Sequence, residues 1–218
     1  SPCATRHSPS RVPAPLRRPR RARLEPVDTE PAPEVVALAG HRGDEATVRA
    51  GLGAGDPRTR VVALGALARL GHLGADDLGI ALGDPDPAVR RRAAEEAGRA
   101  PGVAIDLLPV LADPDPTVVE AAAWACGERN PATPGTVAAL SALAVDHEDP
   151  LCREAAVAAL GAIGAEDGLA AILAATTDKP AVRRRAVIAL APFEGQNVDA
   201  ALQRALEAGD RHVRPCDE

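Results

Sequence analysis

Apolar positions along this chain fall into two kinds of run that alternate, and a fixed polar signal precedes one of them. The signal is Asp-Pro-x-Val-Arg or a near variant. It occurs as Asp56-Pro57-Arg58-Thr59-Arg60, Asp86-Pro87-Ala88-Val89-Arg90, Asp115-Pro116-Thr117-Val118-Val119, Asp149-Pro150-Leu151-Cys152-Arg153, Lys179-Pro180-Ala181-Val182-Arg183 and, truncated, Asp210-Arg211-His212-Val213-Arg214. Asp is a good N-cap because its carboxylate accepts the free amide hydrogens of a first helical turn, and Pro at the next position lacks only a donor that has no partner there. Apolar letters follow at helical spacing: Ala93, Ala94 and Ala97 in the second copy, Ala156, Val157 and Leu160 in the fourth, Ala186, Val187 and Leu190 in the fifth. Gly71, Gly127 and Gly164 close such runs. This is helix A of each copy, and its small residues let neighbouring helices approach closely.

The second kind of run is shorter and gives a helix B in each copy, at 78–82, 105–111, 137–143, 169–173 and 198–206. Pro109 lies inside one of them and should shorten or kink it, since its ring removes a backbone donor. No alternating strand pattern of useful length occurs, so the class is all-α. Copies about thirty residues apart mark stacked helical hairpins. The chain therefore reads as an α-solenoid of about five hairpins over 56–214, with a capping hairpin at 34–55 built on Val35, Val36, Leu38, Val48 and Leu52, and a tail at 215–218. The truncated sixth copy leaves the last B helix without a full cover, which invites a weak homodimer through the C-terminal end.

The runs Val89-Arg90-Arg91-Arg92-Ala93-Ala94-Glu95-Glu96-Ala97-Gly98 and Arg153-Glu154-Ala155-Ala156-Val157-Ala158-Ala159-Leu160-Gly161 resemble the short HEAT-like repeat of phycobilisome lyase subunits and of many bacterial proteins. The likeness covers roughly 44–214; the Trp/Gly/Tyr signature of tetratricopeptide repeats and the Thr-Pro-Leu-His of ankyrin repeats are absent. The resemblance implies that B helices line a concave side and A helices form the convex one. It also brings chemistry to test. Deoxyhypusine hydroxylase, an enzyme similar to this repeat, holds iron through His-Glu pairs early in helix A, a donor set suited to oxygen chemistry. The matching pairs here are Val61-Val62, Arg91-Arg92, Glu120-Ala121, Glu154-Ala155 and Arg184-Arg185, and none is His-Glu. His147-Glu148 falls in a loop before Asp149 and has no second copy. No catalytic residue, metal or cofactor is expected.

Composition narrows the picture. The chain has 218 residues, 46% apolar through Ala, Leu and Val, yet one Trp, one Phe and no Tyr. That gives a thin, layered core, little with which to stack on a tetrapyrrole as a bilin lyase would, and little for the base capture of a DNA glycosylase. Cys3 and Cys216 stand in the tails, while Cys126 and Cys152 take helix A core positions without any Cys-x-x-Cys pair; they read as buried hydrophobes, reduced in a cytoplasmic protein. His41, His72 and His212 read as solvated turn residues. Trp124 aligns with Gly65, Glu95, Ala158 and Ile188, a position at the core's edge where it should fill a gap between repeats. Residues 1–33 hold seven Arg and many Pro with no apolar periodicity, and read as a disordered basic tail without a secretory or membrane-spanning segment.

The net charge of −6 argues against a nucleic-acid role without a localised basic patch. Arg60, Arg90, Arg153, Arg183 and Arg214 recur at one repeat position and should pair with the Asp N-caps of neighbouring units as a ladder. That leaves Arg91, Arg92, Arg184 and Arg185 as a candidate basic ridge on an outer A face that should be basic. The B helices and their lead-ins carry Asp76, Asp77, Asp106, Glu166, Asp167 and Asp199, the candidate partner-binding residues of an acidic concave face. The expected function is a non-catalytic protein-interaction scaffold for a basic or amphipathic protein segment. The alternatives are an accessory subunit of a lyase or modification enzyme and, third, nucleic-acid binding through tail and ridge.

Overall fold

The computed structural model describes residues 30–129, 131–133 and 135–213, with only the backbone of 208–213. The expected basic tail, the 215–218 segment, Arg214, Cys3 and Cys216 lie outside the described residues, as does the side chain of His212. Among those described the chain forms eleven α-helices, two 3₁₀ segments and no strand. α1 (Pro33–Arg42) and α2 (Glu45–Leu52) make a first hairpin, and α3 (Pro57–Leu70) and α4 (Ala75–Leu82) a second. α5 (Pro87–Arg99) is followed by the 3₁₀ segment Leu108–Ala112, then come α6 (Pro116–Glu128) with α7 (Thr136–Asp146). α8 (Pro150–Ile163) leads through the 3₁₀ turn Glu166–Gly168 into α9 (Leu169–Ala175), and α10 (Pro180–Ala189) precedes α11 (Gln196–Val213). A helices stack on A helices in the order α1, α3, α5, α6, α8, α10, which makes the molecule an α-solenoid.

The caps work as the sequence suggests. Asp56, Asp86, Asp115 and Asp149 each accept the N–H two residues on, at 3.0, 2.8, 2.9 and 2.8 Å. Gly71 and Gly164 close α3 and α8 in the left-handed conformation, at φ 73° and 66°. Two local expectations change, those for Gly127 and for the sixth copy, while the one for Pro109 is met. Gly127 does not end its helix but lies inside α6, where the α8 backbone comes so near that a Cβ would stand 2.9 Å from Ala159 Cα. Pro109 reduces the third B element to a 3₁₀ segment, because its missing donor suits only a first turn. Finally, α11 runs unbroken through Asp210, so the truncated sixth copy opens no helix of its own.

In three repeats an arginine links the stack, though not to the expected partners. Arg60 grips Asp84 through Nε and Nη2 at 2.8 and 2.7 Å, Arg90 grips Asp113 at 2.7 and 2.8 Å, and Arg153 grips Asp178 at 2.7 and 2.9 Å. These acids precede the next helix's N-cap, by two positions for Asp84 and Asp113 and by one for Asp178, and are not the N-caps themselves. For Asp84 and Asp113 the reason is geometric, since the neighbouring cap carboxylates of Asp86 and Asp115 are already committed to their own first turns; before α10 the cap is Lys179, which offers no carboxylate. Nη1 of each arginine meanwhile donates to carbonyls five and six residues back, as Arg90 does to Pro85 and Asp84. Val119 breaks the series, and the matching acid is replaced by His147, whose Nδ1 accepts the Asp149 N–H at 3.0 Å. His147 is thus a turn residue of the ladder. Arg183 is exposed and enters no ion pair among the described residues.

The core is a ribbon between the layers, with Leu64, Leu67, Leu78, Leu140, Leu160, Ile172 and Leu190 fully buried. Gly98, Gly127 and Gly161 share one repeat position and face Ala125, Ala159 and Ala189 of the next A helix; a Cβ at Gly161 would stand 2.7 Å from Ala189 Cα. Small residues on both sides bring these helices into close contact.

Candidate functional site

A groove of about 580 Å³ opens on the A face, between α5, α6 and α8, with α10 at its end. Its cause is a size mismatch at one repeat position. That position is Trp124 on α6 but Ala158 on α8, and Ala155 and Ala162 lie above and below Ala158, so a tall indole stands beside a low alanine floor. Trp124 is 38% exposed and Leu151, at the start of α8, is 54% exposed. The indole does cover Gly98 of the preceding repeat, where a Cβ would lie 2.6 Å from Cζ3, and Arg99 sits 5.7 Å from the ring centroid. The expected gap-filling role is therefore half of what Trp124 does; its other half faces the groove.

Charge around the groove is sorted into used and unused groups. Arg91 and Arg99 of α5 pair with Glu95 at 3.1 and 3.6 Å, and Arg185 reaches Glu154 at 3.3 Å. Glu120 and Glu128, both exposed, enter no ion pair among the described residues. On α6 they flank Trp124 at i−4 and i+4, so a Glu-Trp-Glu stripe about 12 Å long runs down one helix face. A cation can stack on indole while its charge meets a neighbouring carboxylate.

The sequence-derived candidates are placed differently. Asp76 and Asp77 stand in the first turn of α4, Asp106 just before the 3₁₀ segment, Glu166 and Asp167 in the 3₁₀ turn before α9, and Asp199 in the first turn of α11. All six mark starts of B elements, where acid is favoured by the helix dipole. Two are engaged: Asp77 accepts the Gly74 N–H at 3.1 Å and Arg49 Nη1 at 3.2 Å, and Asp106 accepts the Leu108 N–H at 3.0 Å. The line skips α7, whose first turn has no acid. Of the six, only Asp167 lines a described cavity, one of about 700 Å³ beside α7.

The A face is not uniformly basic. Arg60, Arg90 and Arg153 turn into the ladder, Arg91 and Arg185 are paired as above, and Arg92 binds Glu96 at 2.7 Å while lying over Gly65. Glu96 is 4% exposed and occupies the repeat position held elsewhere by Ala66, Ala125, Ala159 and Ala189, which wedges α3 from α5. Arg184 remains exposed. Cys126 and Cys152 are buried, and burial pushes both thiols up to about 11. His41 is exposed, and His72 Nδ1 lies 2.6 Å from Glu45.

Glu120, Trp124, Glu128 and Leu151 are the groove residues that the sequence candidates did not include. Their signal was present in the fourfold spacing of Glu120, Trp124 and Glu128, but summing charges over whole layers hid a stripe confined to one helix. Among the described residues no helix is long and apolar enough to cross a membrane. Residues 105–191 match the family model described as HEAT repeats, a span that holds α6, α8 and α10 and hence most of the groove. No curated protein matches the chain.

Proposed function

We propose that this solenoid with HEAT-like repeats is a non-catalytic scaffold that docks a basic segment of a partner protein in the groove beside α6. The observation that carries the reading is the stripe Glu120-Trp124-Glu128: the chain's single Trp, half open, between two carboxylates without cationic partners among the described residues and next to an alanine floor. Tryptophan is among the residues that most often dominate binding energy, and guanidinium suits both indole and carboxylate better than ammonium does. An extended arginine-containing segment fits this chemistry, with the apolar floor for intervening side chains. Asp76, Glu166, Asp167 and Asp199 remain exposed on the other layer and offer a second line for the same kind of partner.

A dye-labelled arginine-rich peptide, followed by fluorescence polarisation, tests the choice. Glu120→Gln with Glu128→Gln is expected to weaken binding about tenfold, since two charge-assisted contacts are lost, while Asp76→Asn with Asp167→Asn and Asp199→Asn leaves it unchanged. The reverse result moves docking to the B side.

A further inference from the structure

We propose that the groove's resident ligand is the chain's own segment Arg17-Arg18-Pro19-Arg20-Arg21-Ala22-Arg23, which outside partners must displace. This rests on the groove reading above and adds its regulation. Charge is segregated along the chain. Residues 1–29 hold seven of the 25 Lys and Arg and two of the 31 Asp and Glu, so residues 30–218 carry 18 cationic against 29 acidic side chains, a net of −11. A strongly acidic body joined to a strongly basic segment attracts it in cis, where the joining chain sets an effective concentration on the order of millimolar.

The reach is sufficient. Glu30 is tied to the loop before α3, its Oε2 accepting the Gly55 N–H at 2.7 Å. α6 lies two helices further along the stack, roughly 20 Å at the usual interaxial spacing of 8–10 Å. Arg23 is seven residues before Glu30, and seven extended residues span up to about 24 Å. The ladder aligns the starts of the A helices along one edge, so Glu120, in the second turn of α6, is on the near side. The spacing also agrees: in an extended chain rising about 3.1 Å per residue, Arg17 and Arg21 stand about 12 Å apart, the separation of Glu120 and Glu128. Arg18 or Arg20 between them then meets Trp124.

Trp124 is the chain's only Trp, so its emission reports the groove directly. The full chain is compared with a variant in which Arg17, Arg18, Arg20, Arg21 and Arg23 are all changed to Ser, which leaves every described residue intact. In low salt the wild type emits at shorter wavelength than the variant, because the covered indole loses water, and 1 M NaCl removes the difference. The difference is the same at low and high protein concentration. A synthetic peptide of residues 15–25 shifts the variant's emission, and it binds the variant about tenfold more tightly than the wild type. Glu120→Gln with Glu128→Gln abolishes these effects. If wild type and variant emit alike and bind the peptide alike, docking in cis is overturned while the groove reading stands. If the peptide binds neither, both readings fall. A wild-type shift that grows with protein concentration overturns docking in cis in favour of docking between chains.

Discussion

An arginine held by two carboxylate oxygens on one side and two backbone carbonyls on the other is the residue-scale unit of this stack. Such bidentate, charge-assisted pairs are strong and geometrically exacting, and here they are mostly shielded, with 14% of Arg90 and 8% of Asp113 side chains accessible. Asp113→Asn should therefore cost about 2 kcal/mol, measured by urea unfolding. Arg90 beside Asp113 and Arg153 beside Asp178 hold those carboxyls below the usual range; burial pushes Asp84 upward, but Arg60 and the Asp86 N–H outweigh it and the net direction is down. A carboxyl lowered on folding contributes stability that is present at neutral pH and is lost as pH falls below about 4. Wild type should thus lose stability on acidification over that interval, and Asp113→Asn should lose less. The missing rung gives a converse test: Val119→Arg with His147→Asp should add about 1 kcal/mol, with Val119→Arg alone destabilising. Cys126 and Cys152, with thiols up at about 11, should react with a thiol reagent at pH 8 only after unfolding.

At the scale of elements, the starts of α3, α5, α6 and α8 were legible to the residue, because an Asp cap and a Pro at the first position act locally, whereas Asp210, with no Pro after it, lies inside α11. Their ends were less so. Gly127 has the letter of a helix stop, yet its role is set by Ala159 of another repeat, and no local signal carries that. The arginine ladder was legible as a series but not in its partners, since choosing Asp84 over Asp86 requires knowing that the cap is occupied. The groove was invisible for a similar reason: it depends on Trp124 and Ala158 being neighbours across two helices. Close helix contact also predicts unequal costs for equal changes. Gly161→Val should destabilise by about 2–3 kcal/mol, because its Cβ meets the backbone of α10, which cannot yield. Gly65→Ala should cost less, since what it meets is the guanidinium of Arg92, the far end of a flexible side chain.

The whole molecule is a row of interfaces without a single centre, and its stability is a sum of unit and neighbour terms. The joint between α3 and α5, wedged by Glu96, is the loosest A-to-A contact among those described up to α10 and should be the first to open, read as faster amide exchange in α3 and α4 than in α6 and α8. Such a body presents long faces, and what distinguishes one stretch of face from the next is a few side chains. Under the proposed function, the stretch around Glu120, Trp124 and Glu128 receives arginine. A double-mutant cycle tests it most directly: Glu128→Gln in the protein against Arg→Ala at each position of a bound arginine-rich peptide, with affinities from titration calorimetry. One peptide arginine should show a loss coupled to the loss of Glu128 by about 1 kcal/mol, as for groups in contact. Additive losses at every arginine would mean that Glu128 touches none of them, and would contradict it.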